Sequence, residues 1–322
     1  MKIAIMMHNI NRYTGGRYYM WTLAYALRHL GHDVTVYTNQ RAGYIQNNMR
    51  PRKKPKVVVG SGHDIKADLY VGMPIEENNR AVELAARDGK KALCCIFDSY
   101  PALKRAGIQW KELPEKWPKL NQEHVWLLSL AEANVPDICE WTGTTPDRVR
   151  VLYPCINDAA LDLEAKVTRE PIIVFISRLV KHKNFAHLCD AADPLGVQIV
   201  AITSDRAEAR NGKVTWRIRV DDRVKFDILR SARCLCVPST HEGFGIWATE
   251  AWAAGIPVVC YDLPSLREVA NGGVYFAKPG DRWDLQRQLM RCLEEDKQLK
   301  PDKRFYFGQM IKGIERILEE MG

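Results

Sequence analysis

Residues Lys2–Thr38 read KIAIMMHNINRYTGGRYYMWTLAYALRHLGHDVTVYT. The opening KIAIMMH is a short apolar run of the kind that forms a buried strand. A Gly-containing loop, NINRYTGGRYY, follows it. YYMWTLAYALRHLGH then places apolar residues at helical spacing, with a basic last turn and Gly31 as a stop. DVTVYT reads as a strand. Strand, loop, helix, strand is the unit that makes a parallel sheet, because two parallel strands need a crossover between them.

The same alternation continues along the chain. PKVVVG, ADLYVG and KALCCIFD read as further buried strands, and VRVLYPCIND closes the first half. The polar stretch ALDLEAKVTREP precedes a fresh start at IIVFISRLV, which places a domain boundary there. Beyond it come IIVFIS, a helix near 184–192, VQIVAITS, a helix near 222–231, RCLCVPS, a helix from about 246, and IPVVCYD. The expected fold is therefore α/β, two Rossmann-like doubly wound domains. Residues 1–161 form the first and 162–303 the second. KRFYFGQMIKGIERILEEMG forms an amphipathic helix over about 304–322 that packs back on the first.

Bulk properties narrow the class. A chain of 322 residues is too long for one ordinary core. Its 46% hydrophobic and 27% charged residues are a soluble globular balance. No apolar run approaches the length of a membrane span, and the N-terminus lacks the pattern of a signal peptide. A cytoplasmic location is expected, with peripheral placement on the inner membrane face as an extension of it. Nine cysteines, an odd number with no C-x-x-C, fit small buried hydrophobes in a reducing compartment. The net charge of +8 is uneven. Residues 1–155 hold 22 Lys/Arg against 15 Asp/Glu, a net +7, whereas residues 156–322 hold 25 against 24, a net +1.

The chemistry concentrates in HEGFGIWATEAWAAGIPVV, His241–Val259. Gly243 and Gly245 lie where a strand turns into a helix. Such turns offer unpaired backbone N–H groups and the positive end of a helix dipole to phosphate. GFGIWA also fits the dinucleotide pattern G-x-G-x-x-A, with Asp262 ending the next strand. Three details oppose a dehydrogenase. The first glycine is four residues from its strand, Glu242 would crowd a pyrophosphate, and the turn falls late in its domain. Glu242 stays in the loop while Glu250 lies a turn or more down the helix, too far apart for an acid–base dyad. The two can instead bracket a long ligand, with sugar hydroxyls on one, ribose hydroxyls on the other and a diphosphate between.

EGFGIWATE followed by AWAAGIPVV resembles the donor motif of retaining family-4 glycosyltransferases, which have the GT-B fold of two domains facing across a cleft. FISRLVKHKNF resembles that family's Arg…Lys element, TGGRYYMWTLAYALRHLGHDVTVYT its N-terminal Gly-Gly loop, helix and strand, and DRVRVLYPCIND its interdomain strand. The resemblance runs over nearly the whole chain. It implies a nucleoside-diphosphate sugar as donor, with UDP favoured and GDP as the alternative, no cofactor, no metal, and retention without a protein nucleophile. It also implies roles for residues. Arg178 and Lys183 grip the diphosphate, whose charge grows as the glycosidic bond breaks. Glu242 contacts the donor sugar, and Gly243 with the backbone N–H groups of Phe244, Gly245 and Ile246 holds sugar or phosphate. Glu250 bonds the ribose, and the base is read through backbone near Arg217–Val220. Gly15 and Gly16 let the first loop approach the diphosphate, and cleft closure belongs to turnover. Ser177 and Asn184 stand where the family often has glycine. Phe97 takes the place of an acceptor-side histidine, which leaves Asp98 either to orient the acceptor or to cap the next helix. His8 and His241 are spare candidates.

The acceptor falls to the basic first domain, with Arg12, Arg17, Asp98 and Trp110 as candidates. RPRKKPK (Arg50–Lys56) is basic, and YPALKRAGIQWKELPEKWPKL mixes five Lys/Arg with Trp110 and Trp117. Lysine with tryptophan suits an anionic bilayer surface; basic residues with aromatics suit nucleic acid; an ordinary solvated face with inward tryptophans is the plain alternative. A cell-envelope glycolipid or oligosaccharide is the expected acceptor. A hydroxylated DNA base flipped into the cleft is the other, as in phage-type DNA glycosyltransferases. A silent binding protein on the same scaffold is a further alternative. No stable protein partner is expected.

Overall fold

A computed structural model describes residues 1–8, 15–39, 53–60, 64–109, 113–156, 168–204, 213–270, 272–295, 297, 299 and 302–322. The chain divides into two compact units, Met1–Cys155 with Arg304–Gly322, and Ile156–Lys303. The boundary expected at 161/162 lies outside the described residues.

The first unit contains β1 (Lys2–Met7), α1 (Gly15–His29), β2 (Asp33–Thr38), β3 (Lys56–Val59), β4 (Leu69–Met73), α2 (Ile75–Asp88), β5 (Lys91–Ile96), α3 (Tyr100–Arg105), β6 (Val125–Ser129), α4 (Val135–Thr142) and β7 (Val149–Val151). All seven strands pair in parallel, in the order β3-β2-β1-β4-β5-β6-β7. Ile3–Met7 are buried without a polar interruption, the signature of a strand covered on both faces. Helix α1 buries Tyr18 to Leu27 continuously. It is hydrophobic around its circumference because it is enclosed, so its spacing is less amphipathic than its burial.

The second unit contains β8 (Glu170–Ile176), α5 (Phe185–Ala192), β9 (Gln198–Thr203), β10 (Val214–Ile218), α6 (Asp222–Ser231), β11 (Ala232–Val237), α7 (Ile246–Ala253), β12 (Val258–Tyr261), α8 (Pro264–Val269), β13 (Val274–Ala277) and α9 (Arg282–Glu295). Its six strands are also all parallel, ordered β10-β9-β8-β11-β12-β13. The last helix, α10 (Phe307–Met321), belongs to the first unit. Phe307 meets His29 edge-on at 6.5 Å, and Lys91 Nζ donates to the carbonyl of Gly322 at 2.9 Å. Its buried Met310, Ile314, Ile317 and Met321 follow the helical repeat.

In each sheet the first strand is central and the order reverses beside it, between β1 and β4 and between β8 and β11. Such a reversal opens a crevice at the carboxyl ends of the strands, where ligands of open α/β sheets bind. No helix among the described residues is long and apolar enough to cross a membrane.

Packing at the first reversal depends on Gly72 in β4. A Cβ there would lie 2.4 Å from the carbonyl oxygen of Glu77 and 2.7 Å from Asn78 Cα, so the first turn of α2 presses directly on the strand backbone. Gly72→Ala must push backbone apart. It is expected to cost about 3 kcal/mol of stability, read as a lower urea midpoint. A midpoint equal to wild type would refute this packing.

Candidate active site

In the second unit, two loops meet at the β8/β11 reversal. The loop after β8 carries Arg178 and a 3-10 turn, Lys181–Lys183; the loop after β11 carries Ser239–Gly245. They are tied together by backbone. Thr240 N donates to the carbonyl of His182 at 2.9 Å, and Asn184 Nδ2 donates to the carbonyls of Pro238 at 2.9 Å and His182 at 3.2 Å. Asn184 has φ 47°, a left-handed conformation that glycine adopts freely and asparagine tolerates. This explains why asparagine can replace glycine after the lysine.

Lys183 Nζ donates to Glu242 Oε1 at 2.7 Å, with both side chains nearly buried. Trp247 Nε1 donates to the same oxygen at 2.9 Å, and Ser265 Oγ donates to the Glu242 carbonyl at 2.7 Å. Burial works to raise the Glu242 pKa, but the charge and hydrogen bond of Lys183 outweigh it. The group stays below the ordinary carboxylate range and is ionised. His182, beside this pair, is pushed down to about 4, first by burial and then by the charge of Lys183. It is therefore neutral at physiological pH. Arg178 is exposed, makes no ion pair among the described residues, and its charge also acts on His182.

Gly245 is the N-cap of α7 with φ 91°. A Cβ there would lie 2.4 Å from Leu266 Cδ2, so both conformation and space demand glycine. The first N–H groups of α7 open beside this turn. Phe244 is buried beneath it. Glu250, one turn into α7, is not on a solvated face. It is 4% exposed, and its Oε1 accepts from Lys225 Nζ at 2.7 Å. The two glutamates thus sit in separate lysine pairs. Asp262, the residue a dinucleotide reading would need for ribose, is held by Arg267 through two hydrogen bonds of 2.5 Å each. The glycine turn follows β11, the fourth strand of its unit. Both facts count against the dehydrogenase pattern.

In the first unit, Gly15 and Gly16 are not in a loop; they form the first turn of α1. A Cβ on Gly16 would lie 2.8 Å from the Phe97 ring, which also packs edge-on against Tyr19 at 5.2 Å. Phe97 therefore serves packing here. Asp98 is half-buried in the turn after β5, and the N-cap position of α3 is Ser99. Arg17 Nε donates to the carbonyl of His8 at 3.1 Å, and Asn39 Nδ2 lies 3.2 Å from His8 Nε2. Arg12 and Trp110 lie outside the described residues. Trp117 is buried, packed on Trp141 at 5.0 Å, so it does not join a basic surface.

Three polar groups are not among the residues the motifs single out. His182 is flanked by lysines in KHK. Lys225 takes an apolar-spaced position on α6. Glu77, in the first turn of α2 at the β1/β4 reversal, has a buried Oε2 that lacks a hydrogen bond, with Arg80 Nη1 3.8 Å away. Burial raises the pKa of Glu77, and the nearby charges of Arg80 and His8 lower it less.

Comparison with known proteins fits this geometry. Residues 161–306 match the family model described as glycosyl transferases group 1. MMP alpha-(1->4)-mannosyltransferase of Mycolicibacterium hassiacum is 24% identical over 209 residues, covering 60% of this chain and 51% of the relative. Phosphatidyl-myo-inositol mannosyltransferase of Mycobacterium tuberculosis is 34% identical over 144 residues, 38% of each chain. The chain spans about half the length of the first of these and of a Methanocaldococcus jannaschii glycosyltransferase. The solved structure of Anabaena Alr3699/HepE with UDP and glucose superposes with a TM-score of 0.80 at 15% identity, over 99% of both chains. WaaG, a glycosyltransferase involved in lipopolysaccharide biosynthesis, gives 0.68 at 15% identity, over 98% of this chain and 95% of the other.

The depressed His182 pKa has a sign that can be tested. An unfolded histidine takes a proton near pH 6.5, whereas His182 in the folded chain resists until about 4. Between these values the unfolded state binds more protons, so stability falls as pH drops through that window. His182→Gln should flatten the fall between pH 6.5 and 4 in denaturant titrations. An unchanged pH slope would contradict the half-buried, neutral imidazole.

Proposed function

We propose that the chain is a group 1 glycosyl transferase of GT-B fold, a reading that the match of residues 161–306 supports, and that it moves a hexose, with retention, from a nucleoside-diphosphate sugar to a hydroxyl of a cell-envelope glycolipid or oligosaccharide. The observation that supports this most is the cluster at the β8/β11 reversal. There the cations Arg178 and Lys183, the carboxylate Glu242 and the glycine turn before α7 share one crevice edge.

In this reading Arg178 and Lys183 take the diphosphate. Lysine carries three donors, so Lys183 can keep its bond to Glu242 and still offer a proton to a phosphate oxygen. The pair holds the ammonium in place before the donor arrives, which spares reorganisation as leaving-group charge develops. The cations fill the role a metal would serve. Glu242 Oε2 is then the atom for a donor-sugar hydroxyl, and the N–H groups around Phe244, Gly245 and Ile246 steady sugar or phosphate. Glu250 takes the ribose, and UDP is preferred to GDP. On the acceptor side, His8 and Glu77 at the β1/β4 reversal join Arg17 and Asp98 as candidates.

The curated mannosyltransferases and the lipopolysaccharide enzyme favour an envelope acceptor, with the chain placed peripherally at the inner membrane face. The test is nucleoside-diphosphate release from pooled UDP-, GDP- and ADP-sugars, run with anionic lipid extract, with hydroxymethylated DNA, and with neither. Lipid-stimulated release is expected. Stimulation by DNA alone would replace the acceptor class, and no release under any condition would refute the transferase reading.

Two substitutions sharpen it. Lys183→Ala should lower transfer by about 10²–10³-fold, the cost of removing one fixed transition-state partner. Glu242→Gln should reduce transfer while leaving nucleoside-diphosphate binding within about threefold of wild type. Equal loss of both by Glu242→Gln would move that carboxylate from the sugar to the nucleotide.

A further inference from the structure

Helix α6 buries residues at positions 222, 225, 226 and 229, the spacing of a core-facing stripe. Phe226 and Leu229 are the apolar residues this stripe calls for. Asp222 and Lys225 are not, yet they are 5% exposed each. Lys225 Nζ lies 2.9 Å from Asp222 Oδ1, 2.7 Å from Glu250 Oε1 and 4.9 Å from the Phe226 ring centroid. Glu250 sits on α7 among Trp247, Ala248, Thr249, Ala251 and Trp252, all buried. Three ionisable groups therefore converge where packing alone would place hydrocarbon.

Such a cluster is a poor device for stability. Well-packed apolar residues of similar volume do as well or better than a buried ion pair. The three groups carry two carboxylates and one ammonium, a surplus of one negative charge. Glu250 Oε2 makes no hydrogen bond among the described residues, so the surplus faces an unused acceptor.

We propose that Lys225 is a positioning residue for the donor nucleotide: by holding Glu250 Oε1 it fixes the carboxylate so that Oε2 accepts from a ribose hydroxyl. This rests on the reading of Glu250 as the ribose carboxylate. Lys225 does not touch the ligand and acts through Glu250. Asp222 in turn holds Lys225 from one helical turn away, at the N-terminal end of α6, where a carboxylate is also favoured by the helix dipole.

The arrangement makes a prediction about pH. Burial raises the Glu250 pKa, Lys225 opposes this, and Asp222 adds to the rise. Those two α6 residues are the charged groups acting on Glu250 from the elements packed against it. Replacing Lys225 by methionine removes the opposing charge and keeps the apolar volume. Glu250 then takes a proton toward neutral pH, and a protonated carboxyl has lost an acceptor site.

The experiment measures the dissociation constants of UDP, GDP and ADP by calorimetry at pH 6.5, 7.5 and 8.5. Wild type, Lys225→Met, Glu250→Gln and the double variant are compared, and the variant-to-wild-type ratio is read for the tightest nucleotide. Lys225→Met should bind at least tenfold more weakly at pH 6.5 and recover most of that loss by pH 8.5. Glu250→Gln should be weakened equally at each pH, and the double variant should match Glu250→Gln alone. Lys225→Arg keeps the charge but presents a planar fork. It serves if Lys225→Met does not fold, and should bind more weakly with no pH dependence relative to wild type. A Lys225 variant that binds as wild type overturns the proposal. So does a pH-independent loss in Lys225→Met, or any further loss in the double variant beyond Glu250→Gln. If wild type binds none of the three nucleotides, the transferase reading itself fails, a result distinct from these.

Discussion

Every strand pair among the described residues is parallel, and parallel neighbours can be joined only by a crossover that covers a face of the sheet. That constraint determines the rest. It forces the strands to be apolar on both sides, as Ile3–Met7 and Cys234–Val237 are. It also leads β4, β5, β6, β8, β11 and β12 from their carboxyl ends toward α2, α3, α4, α5, α7 and α8. With the first strand central in each sheet, the order must reverse beside it. At such a reversal an open α/β sheet has its ligand crevice, at the carboxyl ends of the strands. In the second unit that space is bordered by Arg178, Lys183 and Glu242. In the first unit it is bordered by His8 and Glu77.

Around the second reversal the chain sets two lysine–glutamate pairs in different surroundings. Lys183–Glu242 is tied to backbone and to Trp247, and the carboxylate is held below its ordinary pKa despite burial. Lys225–Glu250 lies within helix–helix packing, with Asp222 as a second carboxylate, and Glu250 is raised. The same two residue types therefore reach opposite shifts. One lysine serving one carboxylate overcompensates the desolvation cost; one lysine shared by two does not. This is why the two glutamates, eight residues apart in one motif, need not have similar chemistry.

Much of this was legible in the sequence. Apolar runs flanked by glycine and charge gave the parallel strands, because a strand buried on both faces has no polar alternation to obscure it. The helix expected near 222–231 lies at Asp222–Ser231, and the one expected from about 246 starts at Ile246. Gly245 marked the turn because no other residue fits φ 91° beside Leu266. The side-chain environments were less legible. The burial of Glu250 could not be read, because a one-dimensional pattern cannot display the lysine that meets it from another helix. Gly16 reads as a loop glycine for a similar reason: its partner, the Phe97 ring, lies more than eighty positions away. Helices α2 and α9 were within reach, since Ala81, Val82 and Ala85, and Leu285, Leu289 and Cys292, recur at helical spacing. Gln288 and Asn78, buried polar residues within those helices, blur the pattern.

The basic character of the first half also changes meaning once pairing is known. Its surplus is seven, from 22 Lys/Arg and 15 Asp/Glu in residues 1–155. Several of the cations that seemed to form an acceptor face are neutralised locally: Arg105 pairs with Asp137, Lys119 with Glu83 at 2.5 Å, and Lys56 with Asp33 at 3.4 Å. Exposed pairs of this kind contribute little to stability, but each removes a charge from the far field. Four of the remaining cations, Arg12, Arg41, Arg50 and Arg52, fall in the stretches 9–14 and 40–52, which contain no Asp or Glu. In sequence these stretches follow the carboxyl ends of β1 and β2. The two stretches carry four cations and no acid, so the surplus of the first half is uneven along the sequence. For an anionic acceptor of the kind proposed, attraction to such a surplus would weaken with salt over a length of about 8 Å at physiological ionic strength.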